Sequence, residues 1–175
     1  MNEVNQNVFH TSIPDFAIRQ AKKEDAALIL DFIKALAEYE NLSGMVSASV
    51  EDIERNLFSD KPVAEVILGE YNGKAVGFAL YFYNFSTFLG KPGIYLEDLF
   101  VLEPMRGKGF GKALLSCLAK LAVDKGCGRL EWCVLDWNTP SIDFYKSLGA
   151  EIMKEWLLNR LTGDALYKLA GEKPK

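Results

Sequence analysis

The chain holds a single histidine, His10, set in the polar opening stretch MNEVNQNVFHTSIPD. A Ser-His or Cys-His nucleophile, or a histidine-based zinc site, would have to be assembled around that one residue, so neither chemistry is expected, and no metal. Cysteine is almost as scarce. Cys117, Cys127 and Cys133 form neither a CxxC pair nor an even set, which reads as buried thiols in a reducing compartment. No apolar run approaches the roughly 20 residues of a membrane span, and the opening stretch lacks the apolar centre of a signal peptide. The expectation is a cytoplasmic protein with no membrane partner. Basic charge is not in excess either: 20 Lys and Arg against 24 Asp and Glu give a net charge of −4. That balance argues against nucleic acid as a partner and suits a small cationic substrate.

What remains is a chain of 175 residues, 49% hydrophobic, enough for one globular core. Residues 1–15 read as a flexible tail, in which Val8, Phe9 and Ile13 could cover a sheet edge, and residues 16–175 as a single domain. FAIRQ is a short strand. KKEDAALILDFIKALAEYE places Leu28, Phe32, Ala35, Leu36 and Tyr39 on one helical face and leaves Lys34 and Glu38 to solvent. SVEDIERNLF is a second helix with Ser49 as N-cap and Asp52 in the box position. From Val63 the period changes to two, and Asn72-Gly73 between VAEVILGEY and KAVGFALYFYNF predicts a hairpin.

IYLEDLFV is a strand whose strict alternation sends Tyr95, Glu97, Leu99 and Val101 to one side and Leu96, Asp98 and Phe100 to the other, so the two carboxylates should point apart. A helix follows, with Leu114, Leu115, Leu118, Leu121 and Ala122 inward and Gly126 at its end. GRLEWCVLDW reads as a further strand, and TPSIDFYKSLG as a helix with Thr139 as N-cap and Gly149 as terminator. AEIMKEWLLNRLTGDALYKLA reads as a final hairpin turning at Thr162, Gly163 and Asp164. The fold class is α+β with a mixed, mostly antiparallel sheet.

Gly107, Gly109 and Gly111 stand between that strand and its helix. Such glycines let the backbone curl and leave amides bare at a positive helix end, which is how phosphate is cradled. The segment is not a Walker A loop, because Ala113 stands where Ser or Thr should follow Lys112. Nor does its spacing fit the dinucleotide fingerprint. A plain strand-to-helix turn is the alternative.

Arg106-x-x-Gly109-x-Gly111 resembles the acetyl-CoA loop of the GNAT (GCN-related) N-acetyltransferases. YLEDLFV, RGKGFG and LDWNTPSIDFYKSLGA occur in the order seen in the spermidine/spermine, or diamine, N-acetyltransferase group. The likeness runs from about Phe16 to Ala170, and STF, DKGC and VLDWN are closest to the thialysine N-epsilon-acetyltransferase branch. The resemblance implies the GNAT acyl-CoA N-acyltransferase fold, with helices on both faces of the sheet and a splayed central strand pair. It implies acetyl-CoA as cosubstrate, held by Leu99, Phe100 and Val101 at the acetyl and pantetheine end. Arg106, Gly107, Lys108, Gly109, Phe110, Gly111 and Lys112 would take the pyrophosphate, and Asn138, Pro140, Ser141 and Tyr145 would form the facing wall. Tyr39, Glu40, Glu97, Glu131, Trp132 and Cys133 match the group's substrate contacts. Members of the group are homodimers, and the aromatic-rich final hairpin would supply an interface.

Acetyl transfer needs a neutral amine, yet an alkylamine of pKa about 10.4 is only about one part in 10³ neutral at pH 7, a deficit of roughly 4 to 5 kcal/mol. Glu97 is the expected base, directly or through water, because desolvation in an apolar strand would raise its pKa. Asp98 is read as structural or as an inter-subunit contact. Tyr145 is the expected acid, since a phenol of pKa about 10 can return a proton to a departing thiolate. Direct transfer makes Cys133 unnecessary as an acyl carrier. The loop NFSTFLG has Ser86 and Thr87 where the polyamine branch carries an acidic residue, which favours a shorter amine or a thialysine-like amino acid. Acetylation of protein lysines or N-termini, and a non-catalytic acyl-CoA sensor, are the competing readings.

Overall fold

The computed structural model describes residues 8–173. Its chain divides into two compact units after Cys133. The first carries a six-stranded sheet in sequential order, β1 (Val8–His10), β2 (Phe16–Gln20), β3 (Glu65–Tyr71), β4 (Lys74–Ser86), β5 (Lys91–Val101) and β6 (Leu130–Trp132). All neighbours are antiparallel except β5 and β6. Val8 and Phe9 cover the sheet edge as β1, paired with Arg19 and Ile18. Residues 1–7 of the expected tail lie outside the described residues.

Helix α1 (Ala26–Tyr39) and helix α2 (Val50–Leu57) pack on one face of this sheet. Ile29, Leu30 and Phe32 of α1 meet Leu68, Phe78 and Phe100 there, all buried, with Phe32 and Phe78 stacked at 5.6 Å. Lys34 and Glu38 face solvent as the spacing requires. The α2 start is a reciprocal cap: the Asp52 amide donates to Ser49 Oγ (3.2 Å) and the Ser49 amide to Asp52 Oδ2 (3.0 Å). Helix α3 (Phe110–Asp124) takes the other face. Phe110 stacks on Phe16 at 4.2 Å, and a Cβ on Gly69 would strike Phe16 and stand 3.6 Å from Leu114. Gly69 therefore lets the α3 layer sit close. The β3–β4 turn uses Asn72 and Gly73 with φ of 51° and 72°, both in the left-handed region that a two-residue hairpin demands.

In the second unit, α4 (Thr139–Ser147) has Pro140 in its first turn. Its N-cap is Asn138, whose Oδ1 accepts from the Ser141 amide at 3.3 Å, and not Thr139 as the sequence suggested. Asn is as good a cap as Thr, and the residue one step earlier has the non-helical dihedrals. The strand expected over 128–137 is confined to Leu130–Trp132. The final hairpin is absent: Gly163–Ala170 form α5, with Gly171 at φ 75° ending it, and no residue from 150 to 162 is in a strand. Thr-Gly-Asp opens that helix, with Asp164 in its positive first turn.

Candidate active site

The decisive local feature is a β-bulge. Along the β4–β5 ladder Leu80 pairs with Asp98 but Tyr81 pairs with Leu96, so Glu97 is an extra residue on β5. Two residues of a bulged strand oppose one on its partner, and the alternation slips by one. Asp98 and Phe100 consequently share the α1 face with Tyr95, whose partner is Phe82, while Leu96 shares the α3 face with Leu99 and Val101. The expectation that Glu97 and Asp98 point apart is thereby corrected. Asp98 is largely buried and Glu97 exposed, so desolvation falls on Asp98.

Burial pushes the Asp98 carboxyl up to about 6, and the nearby charges of Glu97 and Glu40 push the same way. Among the described residues no hydrogen bond or ion pair reaches the Asp98 carboxylate. An unpaired, largely buried carboxylate beside two like charges is costly to keep, which makes it a functional-site candidate. Glu40, just past the end of α1, is itself desolvated and its pKa raised. Glu97 and Glu40 were legible as candidates; Asp98 was passed over because alternation placed it on the wrong side.

Glu131 and Trp132, also expected on the amine side, stand on opposite faces of the sheet. Glu131 pairs with Tyr95 and Trp132 with Leu96 across the parallel β5–β6 ladder. The Glu131 carboxylate is already engaged, accepting from Asn84 Nδ2 at 2.9 Å and lying 2.8 Å from Arg129 Nε. Cys133 is exposed, and its sulfur accepts from the Tyr95 hydroxyl at 3.1 Å. Burial first, then Cys133, raises the Tyr95 pKa, so Tyr95 stays a phenol at any ordinary pH. Tyr39 closes α1 beneath the Arg106 guanidinium, 4.4 Å from its ring centre.

On the α3 side, β5 ends at Val101 and the chain passes through a 3₁₀ turn, Glu103–Met105, into the glycines. Gly107 and Gly109 have φ of 76° and 84°, a conformation that side chains resist. Gly109 is the N-cap of α3 and no side chain caps it, so the first-turn amides of Phe110, Gly111 and Lys112 have no partner within the helix. A Cβ at Gly107 would meet nothing within 4 Å, and one at Gly109 only Ile13. Bare amides, an open approach and the ammonium groups of Lys108 and Lys112 fit a polyphosphate. The Phe110 ring is buried, which leaves only its amide toward the turn.

The β5–β6 ladder stops at Leu96 and Trp132 while β5 runs on to Val101. The outer edge of β5 from Glu97 to Val101, including the backbone of Leu99 and Phe100, is thus left without ladder bonds to β6. A groove of about 670 Å³, lined by Phe9, Ile13, Lys108, Lys112 and Lys120 among others, borders the glycine turn; Glu40, Glu97 and Asp98 do not line it.

Asn138, Pro140, Ser141 and Tyr145 belong to the second unit. The first three build the start of α4. Tyr145 sits in its last turn, its ring 5.3 Å from that of Phe144, and its carbonyl accepts from the amides of Leu148 and Ala150 where the helix ends.

An open sheet with helices on both faces, and a strand leading through glycines into a helix, places the protein among α+β acyltransferases. The match to the profile described as the Acetyltransferase (GNAT) family spans residues 17–150, and the chain belongs to that family. It is 42% identical over 166 residues to a thialysine N-epsilon-acetyltransferase of Bos taurus, covering 89% of this chain and 97% of that protein. It is 48% identical over 124 residues to an L-ornithine N5-acetyltransferase of Arabidopsis thaliana, covering 71% of this chain; the match spans about half of that relative, 51%. Among solved structures, an integron cassette protein from the mobile metagenome of V. cholerae is similar with a TM-score of 0.75 and 32% identity, covering 89% of this chain and 98% of that one. The protein is an N-acetyltransferase. No helix among the described residues is long and apolar enough to cross a membrane.

Proposed function

We propose that the protein transfers acetyl from acetyl-CoA directly to a primary amine of a small molecule, a diamine or a thialysine-like amino acid. The observation that carries this reading is Asp98, an unpaired carboxylate held beside Glu97 and facing Glu40. Three carboxylates with no cation among them suit an alkylammonium, whose charge replaces the missing partner. The names of the bovine and Arabidopsis relatives, for thialysine and ornithine, point to amino acids with a side-chain amine.

In this reading the cofactor's pyrophosphate lies on the amides of Gly107–Lys112 with Arg106 at the turn's entrance, and Asn138, Pro140 and Ser141 are further cofactor contacts. The unladdered edge of β5 at Leu99–Val101 supplies backbone groups to the acetyl and pantetheine end. Glu97 takes the ammonium proton, directly or through water, with Asp98 below it to share the charge. The amine lone pair then forms the C–N bond, the C–S bond breaks, Tyr145 gives its proton to the sulfur, and the second proton of the acylated nitrogen passes through water to the tyrosinate, restoring the phenol and leaving a neutral amide. Glu131, Trp132 and Cys133 border the amine, with Glu131 acting through its pair with Arg129. The reading takes residues 16–175 as one catalytic domain, acting in the cytoplasm as a homodimer; sedimentation as a monomer at micromolar concentration would remove the dimer.

The test is release of free CoA thiol from acetyl-CoA with thialysine, lysine, ornithine, putrescine, spermidine and a lysine peptide, with Tyr145→Phe and Glu97→Gln alongside. A marked kcat/KM preference for one small amine, and a fall of about 10²-fold or more in kcat for Tyr145→Phe, are expected. Preference for the peptide would reassign the substrate to protein, and tight CoA binding with no amine-dependent release would leave a sensor. If both variants keep the wild-type pH profile, the acid and base roles are wrong.

A further inference from the structure

The guanidinium of Arg106 joins three segments that the proposed reaction uses separately. Its Nε donates to the carbonyl of Val101, the last residue of β5, at 3.0 Å. Its Cζ lies 4.4 Å from the ring centre of Tyr39, at the end of α1, and 5.5 Å from that of Phe100. Its own amide donates to Glu103 at 3.1 Å, closing the turn just before Gly107. A side chain so placed is turned back from the bare amides of the glycine turn toward α1 and β5. It is therefore poorly disposed to grip phosphate and well disposed to fix where the turn begins.

We propose that Arg106 is a positioning residue that couples cofactor loading at the glycine turn to the amine-side end of α1, the segment carrying Tyr39 and Glu40. The inference rests on acetyl-CoA occupying that turn. Gly107 stands in open space and the nearest neighbour to a Cβ at Gly109 is the Ile13 side chain at 3.3 Å, which leaves room at Gly107 for the turn to adjust when a pyrophosphate enters. Its movement pivots on Arg106, whose planar guanidinium slides over Tyr39 only as a unit with the Val101 carbonyl. Ordering the turn thus orders Tyr39, and with it Glu40 next along the chain. An amine then meets an α1 end already set, which is positive coupling between the pyrophosphate end of the cofactor and the amine. Arg106 is exposed, so each ring contact contributes a factor of about two to five.

Two measurements, both using CoA itself as the probe, decide the matter. The first is amide hydrogen exchange of the wild-type protein across residues 36–42 with and without saturating CoA; slower exchange on binding is expected, and unchanged exchange overturns the proposal. The second is a calorimetric double-mutant cycle on CoA affinity. Tyr39→Leu, which reaches the glycine turn only through Arg106, is expected to weaken CoA by about two- to five-fold, and to add nothing in an Arg106→Met background. Additive losses, or no loss from Tyr39→Leu, overturn the coupling. Tyr39→Phe, which keeps the ring, should bind CoA as the wild type does, and Arg106→Lys should recover part of the loss because it keeps a cation over the ring. If Arg106→Met fails to fold, the exchange measurement and the Tyr39 pair still decide. If the wild-type protein does not bind CoA at all, the cofactor reading falls and takes this inference with it; binding with no response at α1 sinks this inference alone.

Discussion

Asp98→Asn should make the protein more stable and less active, and both effects should depend on pH. The folded carboxyl titrates at about 6, against an ordinary value of 3.8. A carboxyl whose folded pKa is raised binds its proton more tightly in the native state, so between pH 3.8 and 6 the native chain carries more protons and unfolding free energy falls as pH rises. The difference of about two pKa units corresponds to about 3 kcal/mol of destabilisation once the group is fully ionised above pH 6 to 7. At pH 5 about half of that is present, and below pH 3.8 nearly none. Asparagine keeps the shape and removes the charge. Urea unfolding at pH 8 should therefore show Asp98→Asn stabilised by up to about 3 kcal/mol, shrinking to about half at pH 5. In parallel, wild-type kcat/KM should lose its acid limb near pH 6 in the variant, with a fall of about 10-fold or more at pH 7.5. A stability difference that stays constant from pH 5 to pH 8 would refute the burial argument. A stabilised variant with full activity would refute the catalytic one while leaving the electrostatics intact.

Three other perturbations probe separate parts of the structure. Gly109→Ala, at φ 84°, should cost about 1 to 2 kcal/mol by urea unfolding and raise the KM for acetyl-CoA more than that of the amine. Arg19 joins Asp25 at 2.6 Å and Glu70 at 2.7 Å between β2, β3 and the turn before α1, so Arg19→Met should lose about 2 kcal/mol near neutral pH. Because the Arg19 hydrogen bond lowers the Asp25 pKa, that pair stabilises the fold above pH 3.8 and is lost as pH falls through the lowered value, where the deficit of the variant should narrow. Ser49→Ala, which removes the α2 cap, should cost about 1 kcal/mol and leave kcat/KM unchanged, measured by denaturation and by CoA release.

Where local chemistry decided the conformation, the sequence was a sufficient guide. Asn72-Gly73 had no other conformation to take, Ser49 and Asp52 cap one another within four residues, and the α1 period needs only its own face to be apolar. The glycine turn was legible for the same reason, since bare amides at a helix start follow from residue type. The C-terminal segment was not. In TGDALYKLA the turn-forming Thr162, Gly163 and Asp164 allow a hairpin, while Asp164 in a first turn and Gly171 at a left-handed C-terminus allow a helix. Nothing within the segment ranks the two, because strand formation depends on a partner edge that the local sequence does not mention.

The bulge at Glu97 shows why a correct strand can still yield a wrong site. Period-two reasoning over IYLEDLFV assigns faces by parity, and parity holds only while both strands advance together. One extra residue between Leu96 and Asp98 leaves every neighbour in a strand, keeps Asp98 beside Phe100, and moves Tyr95 onto that face while Leu96 goes to the other. The energetic consequence exceeds the geometric one. Strict alternation would set Asp98 on the face of Leu96 and part it from Glu97, whereas the bulge leaves Asp98 close enough to Glu97 and Glu40 for both charges to add to the effect of its burial. A carboxylate left buried and without a partner works against stability, so its persistence calls for a ligand that completes it. An ammonium does so as substrate and ceases to do so once acetylated, because the amide product carries no charge. The same three carboxylates that favour amine binding therefore favour release of the neutral acetamide, and product inhibition by the acetylated amine should be weaker than substrate binding by at least the order of magnitude that one lost ion pair represents.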